Sequence, residues 1–170
     1  LWVLNRLDDH RIHFAEAPLR HDDIEGYRQL AARSPLLIGA GEFASGRYEA
    51  REWLEDAKVP LLHCGVSRAG GFTEVGRIAE MCELAGAVLM PHSYASGISD
   101  YANVHMQVAS MQIPLIEFRT IEPVTSILRR DLVYPAMPEV VDGWIAPPTG
   151  PGLGIELNME LVNQFRVATA

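Results

Sequence analysis

Five short apolar runs recur along this chain at a nearly constant interval, and that interval restricts the possible folds more than any other feature. They lie at Arg11 to Ala15, Leu36 to Ala40, Val59 to His63, Ala87 to Met90 and Pro114 to Phe118, a spacing near the ~30 residues of a βα unit. Helical patterns fill the gaps at Asp22 to Arg33, Gly46 to Ala57, Phe72 to Ala85 and Ile98 to Met111. Right-handed crossovers make successive strands parallel, so the fold class is α/β and every strand tip faces the same way. Leu1 to Asp9 reads as the last turns of a helix ahead of the first strand. From Thr120 the pattern changes to a tail rich in proline and glycine (Pro135, Pro138, Pro147, Pro148, Gly150, Pro151), with a short helix near Met159 to Val167. Such a tail is expected to fold back over its own domain.

With 170 residues, 48% of them hydrophobic, the chain can bury one sizeable core. Its 22 acidic against 14 basic side chains give a net charge of -8, and Lys58 is the sole lysine. A phosphate backbone has nothing to hold it, which excludes nucleic acid as a partner. No run is long enough for a membrane span. Cys64 and Cys82 follow neither a metal-ligand spacing nor a disulfide framework, which fits a reducing, cytoplasmic setting. The start, Leu1-Trp2-Val3-Leu4-Asn5-Arg6, has no initiator Met and no signal-peptide core, and reads as an interior cut.

Two strands run into an acid and then into a break: Phe14-Ala15-Glu16-Ala17-Pro18, and Leu36 to Ala40 followed by Gly41-Glu42. In α/β proteins ligands sit beyond the carboxyl ends of strands. Two converging carboxylates there suit a hard divalent cation such as Mg²⁺; they also suit helix caps or solvated loop acids, and position alone does not choose.

Together with Ser67-Arg68-Ala69-Gly70-Gly71-Phe72-Thr73-Glu74, Met90-Pro91-His92, Ile116-Glu117-Phe118 and Pro151-Gly152-Leu153-Gly154, these stretches resemble the C-terminal barrel of the mandelate racemase and muconate lactonizing enzyme branch of the enolase superfamily. The resemblance begins near Ile12 and implies part of a (β/α)₈ TIM barrel, about strands four to eight with their helices and the tail. It implies a Mg²⁺-dependent lyase or isomerase that removes the proton α to a carboxylate. Glu16 and Glu42 take the places of two metal ligands, and His92 that of the histidine that moves a proton. Glu117 takes the place of an acid that hydrogen-bonds the enediolate, and Arg68 that of a basic substrate contact. A small-molecule carboxylate, a sugar acid above all, is the implied substrate.

Two departures qualify the match. An aspartate that usually orients the histidine belongs five positions before the glycine pair, where this chain has Gly65; His92 is therefore expected to lack its partner. His63, of the same strand parity as Gly65, either substitutes in part or is a buried core histidine. Glu117 either contacts substrate or pairs with an arginine such as Arg119. The second departure is length: a complete barrel takes ~250 residues. The capping domain and first three strands are absent, and with them the Lys-x-Lys base pair and the first metal-ligating acid. Weakened metal affinity follows. Bare outer edges on the first and last strands lead to an expectation of self-association into a homo-oligomer. Acid-sugar dehydration is the leading expectation, because racemisation needs competent bases on both faces of the substrate. The alternatives are a racemase or epimerase of the same family, and a non-catalytic homologue or inactive fragment.

Overall fold

The computed structural model describes residues 1–94, 96–118, 131–134 and 140–167. Helix α1 (Trp2–Asp8) leads into β1 (Phe14–Glu16), α2 (Ile24–Arg33), β2 (Leu37–Ala40), α3 (Arg47–Arg51), β3 (Leu61–Leu62), the single turn α4 (Val66–Ala69), α5 (Phe72–Ala85), β4 (Val88–Leu89) and α6 (Gly97–Ala109). The four strands form one parallel sheet in the order β1-β2-β3-β4. The expected α/β rhythm and strand direction are therefore present. Ile38, Leu62 and Leu89 are fully buried on the helix-facing side, packed in one core with Tyr27, Val75, Ile78 and Cys82. Both cysteines are unbonded and buried.

Local chemistry sets the helix boundaries. The Asp23 carboxylate accepts from Gly26 N at 2.9 Å and starts α2 one residue later than the pattern suggested. Tyr27 on α2 meets Trp53 edge to face at 4.9 Å and donates its hydroxyl to Leu19 O at 2.8 Å. The helix expected over Gly46 to Ala57 is α for only its first part; Glu52–Asp56 widens to a π-helical turn that carries the adjacent Trp53 and Leu54 both into the core. The last expected helix, Met159 to Val167, ends earlier, as α7 (Met159–Gln164).

The tail carries two small antiparallel pairs, β5 (Val133–Tyr134) with β8 (Glu156–Leu157) and β6 (Val140–Val141) with β7 (Trp144–Ile145). It does fold back: Leu153 packs on the core and its carbonyl lies 3.1 Å from His105 Nε2. Among the described residues no helix is long and apolar enough to cross a membrane. β1 pairs only with β2 in the described sheet.

The fifth expected strand, Pro114 to Phe118, is not a strand. The segment does run beside β4, since Leu89 N donates to Gln112 O at 2.9 Å and Glu117 N to Pro91 O at 3.4 Å. After the first of these bonds a parallel ladder requires residue 114 to donate to the Leu89 carbonyl, and Pro114 has no N–H. The ladder fails at that residue. Pro114→Ala restores the donor, and its amide is expected to become protected in hydrogen exchange; an unprotected amide would mean that something other than the proline holds the segment off β4.

Candidate active site

Register brings the chemistry-bearing residues to one end of the sheet. Glu16 stands opposite Gly39, Gly39 opposite Leu61, and Leu61 opposite Val88. His63, two residues beyond Leu61, shares its face and so shares the face of Glu16. Glu16 is pinned at its strand end because Ala17 N donates to Gly39 O at 2.9 Å. Ala17 itself has φ 42, a conformation that costs a Cβ-bearing residue roughly 1 kcal/mol or more. Glu42 follows Gly41, where φ is 98 and a Cβ would lie 2.7 Å from the Leu62 side chain, so only glycine makes this turn.

Glu16, Glu42, Arg68 and His92 line a single cleft of about 490 Å³, with Phe43 and Tyr94 as its aromatic walls. The Arg68 guanidinium sits 5.2 Å over the Phe43 ring. Tyr94 stacks almost parallel to His92 at 6.0 Å. Among the described residues the tightest group of potential metal ligands is Glu16, His92 and Glu117, whose ligand atoms lie within 4.8 Å of one another. Glu42 stands outside that trio in the same cleft.

Gly65 leaves no acid on β3 beside His92, but a carboxylate does stand against the ring from elsewhere. The ring Nδ1 lies 2.6 Å from Glu117 Oε2, within ion-pair distance. Ser93 N donates to the same oxygen at 2.9 Å. The Glu117 carboxylate raises the His92 pKa above its ordinary value against the opposing effect of burial, and the charges of Glu16 and Glu42 add to the rise. Arg119, the alternative partner for Glu117, lies outside the described residues.

His63 does not substitute for the missing aspartate. It is completely buried, and its ring nitrogens have no hydrogen-bond partner among the described residues. Nδ1 lies 3.8 Å from Glu16 Oε1. Burial, with the nearby His92, pushes its pKa down to about 4, so it stays neutral near pH 7, while the neighbouring carboxylates favour the charged form of His92.

Residue patterns alone did not reveal Asn103. Buried on α6, it donates to His92 O at 3.1 Å and accepts from Val66 N at 3.1 Å. Asp100, one turn earlier and also buried, accepts from the Ser93 hydroxyl. Two polar residues three apart on the apolar face of a helix were the available signal.

Residues 1–161 match the profile of a family described as enolase C-terminal domain-like. The chain is 30% identical over 161 residues to the D-galactarolactone cycloisomerase of Agrobacterium fabrum, covering 92% of this chain and 42% of that protein. It is 30% identical over 166 residues to the D-galactonate dehydratase of Ralstonia pickettii, covering 94% of this chain and 42% of that one. Among solved structures, a mandelate racemase/muconate lactonizing enzyme from Jannaschia sp. CCS1 superposes with a TM-score of 0.85 at 29% identity, over 99% of this chain and 42% of that one. The chain thus spans about 42% of the length of the curated relatives it matches.

The buried histidine makes a pH prediction. In the unfolded chain His63 titrates near the ordinary histidine value of 6.5, and in the fold near about 4. Between these values the unfolded state binds the extra proton, so stability falls as pH drops through that window, by roughly 3 kcal/mol in all. Glu25 and Glu74, each lowered from 4.5 to about 2, lose their contribution only from about 4.5 downward. The contribution of His92, raised above 6.5, is lost as pH rises from about 6.5. Urea denaturation of the metal-free protein between about pH 6 and 5 is therefore expected to show the His63 slope, and His63→Leu to flatten it.

Proposed function

This chain belongs to the enolase C-terminal domain-like family, and on that premise we propose that it supplies the acid and metal-binding side of a sugar-acid dehydratase. In the proposed assignment its strands correspond to about the fourth to eighth of the (β/α)₈ barrel. The observation that carries the reading is the arrival of Glu16, Glu42 and His92 from three different strand ends at one cleft.

The donor chemistry fits the divalent cation. Mg²⁺ takes oxygen ligands and is commonly held through one or two carboxylates, with water and substrate completing its shell. Glu16 and Glu42 would hold it here. When bound, it stabilises the negative charge that develops on a substrate carboxylate as the α-proton leaves.

The remaining residues divide the other tasks. Arg68, steadied against Phe43, pairs with a carboxylate of the substrate. Glu117 favours the protonated form of His92, which suits it to give a proton rather than take one. As the C–O bond at the β-carbon breaks, that proton passes to the departing hydroxyl and water is released. Racemisation needs a base on each face of the α-carbon, and the preference of His92 for its protonated form argues against that role. The sequence contains no Lys-x-Lys pair, and removal of the α-proton is not assigned to any residue of this chain. A cytoplasmic setting accords with its two unbonded cysteines.

Calorimetric titration with Mg²⁺ is expected to give binding that Glu16→Gln and Glu42→Gln each weaken by at least about tenfold. With sugar acids in D₂O and Mg²⁺, a protein restored to the length of its relatives is expected to exchange the α-proton or release water, and Glu42→Gln to abolish both. Titrations indistinguishable between wild type and both variants would sink the assignment of the metal ligands. Because β1 has one strand neighbour in the described sheet, the proposal extends to self-association: sedimentation is expected to give a mass above the 18.8 kDa of one chain.

A further inference from the structure

The exit of β3 and the exit of β4 are clamped together more tightly than an acidic side chain between them would allow. Asn103 joins them, donating to His92 O and accepting from Val66 N, each at 3.1 Å. Its oxygen and its nitrogen each bind one of these backbone groups, and it sits buried on α6, so the separation between the two exits is set by the length of one side chain. At that separation a Cβ on residue 65 would lie 2.4 Å from the His92 carbonyl oxygen. The obstacle is backbone, which cannot rotate away as a flexible side chain can. Residue 65 is therefore held to glycine, and an acid cannot approach His92 from β3.

An acid does approach from the opposite flank. Glu117 N donates to Pro91 O at 3.4 Å, which sets the segment after Pro114 alongside the residues that follow β4. Ser93 N then donates to Glu117 Oε2 at 2.9 Å, aiming that oxygen at the imidazole, 2.6 Å from Nδ1. Tyr94 stacks on the ring and restricts its tilt. Ser93 is fixed in turn by its hydroxyl bond to the buried Asp100.

We propose that Glu117 is the positioning residue of His92, setting its ring orientation, and its tautomer when the ring is neutral, from the far side of β4, and that the Asn103 clamp excludes the alternative position on β3. The inference rests on the reading of His92 as the proton donor only for its purpose; the arrangement itself is tested without turnover. It departs from the expectation that Glu117 addresses the substrate, and it gives Gly65 a structural cause.

The test is the ¹⁵N spectrum of the His92 ring in the labelled protein, at a pH where the ring is neutral. Wild type is expected to carry its proton on Nδ1, facing Glu117. Glu117→Leu is expected to move the proton to Nε2, the default in the absence of an acceptor, while Glu117→Gln, which keeps an acceptor oxygen, retains the Nδ1–H form. Where the leucine variant does not fold, Glu117→Ser, too short to reach, gives the same reading. A folded Glu117→Leu or Glu117→Ser protein with Nδ1–H unchanged overturns the proposal. The clamp is tested by thermal melts: Gly65→Ala is expected to lower the midpoint, and to lower it less in an Asn103→Ala background, where the exits can part. Equal losses in both backgrounds would mean that Asn103 does not set the separation. Neither result depends on whether sugar acids are turned over, so failure of the dehydratase reading remains distinguishable.

Discussion

Asn103 is the interaction on which the cleft depends. A single buried amide satisfies one backbone donor after β3 and one backbone acceptor after β4, and both groups would be costly to bury without a partner. Because its two bonds go to different strands, it couples the turn that opens α4 to the turn that carries His92. The spacing of Arg68, on α4, from His92 follows from that coupling. So does the identity of residue 65, which has no room for a side chain.

The cleft also separates two histidines that composition would treat alike. His63 and His92 both approach Glu16 Oε1, at 3.8 and 3.9 Å. One is enclosed by the sheet and Phe14 and loses the solvation that a charged ring requires. The other is only partly covered and has a carboxylate against it. Burial decides the first and charge decides the second, so two imidazoles within reach of the same acid are shifted in opposite directions. The two environments follow from strand level: His63 is one residue past the paired part of β3, and His92 is three past the end of β4.

Much of this was legible in the sequence because it is periodic or local. The βα rhythm and the direction of the strands depend on residue patterns that repeat within each short unit of the chain. Glu16 and Glu42 were legible as candidates because each ends or follows an apolar run, Arg68 and His92 because their motifs resemble those of the family, and all four line one cleft. What was not legible depends on distant pairs. Glu117 meets His92 across 25 positions, and Asn103 meets Val66 across 37. The clamp leaves no periodic trace in the sequence, and the failure of the last strand hangs on the missing N–H groups of Pro114 and of Pro91 opposite it, whose importance appears only once the register is known.

The broken pairing after Pro114 has a mechanical meaning. Glu16 belongs to a ladder in which every residue of β1 is matched to β2, whereas the segment that carries Glu117 is stitched to β4 by two backbone bonds, at Gln112 and at Glu117 itself. The span between them is held by packing rather than by a ladder, with Ile113 buried in the core and Ile116 packed against it, so its backbone amides are expected to open at lower cost than those of a paired strand. Glu117 is thus set against His92 by side-chain burial on one side of the segment and by the bonds to Pro91 O and from Ser93 N on the other.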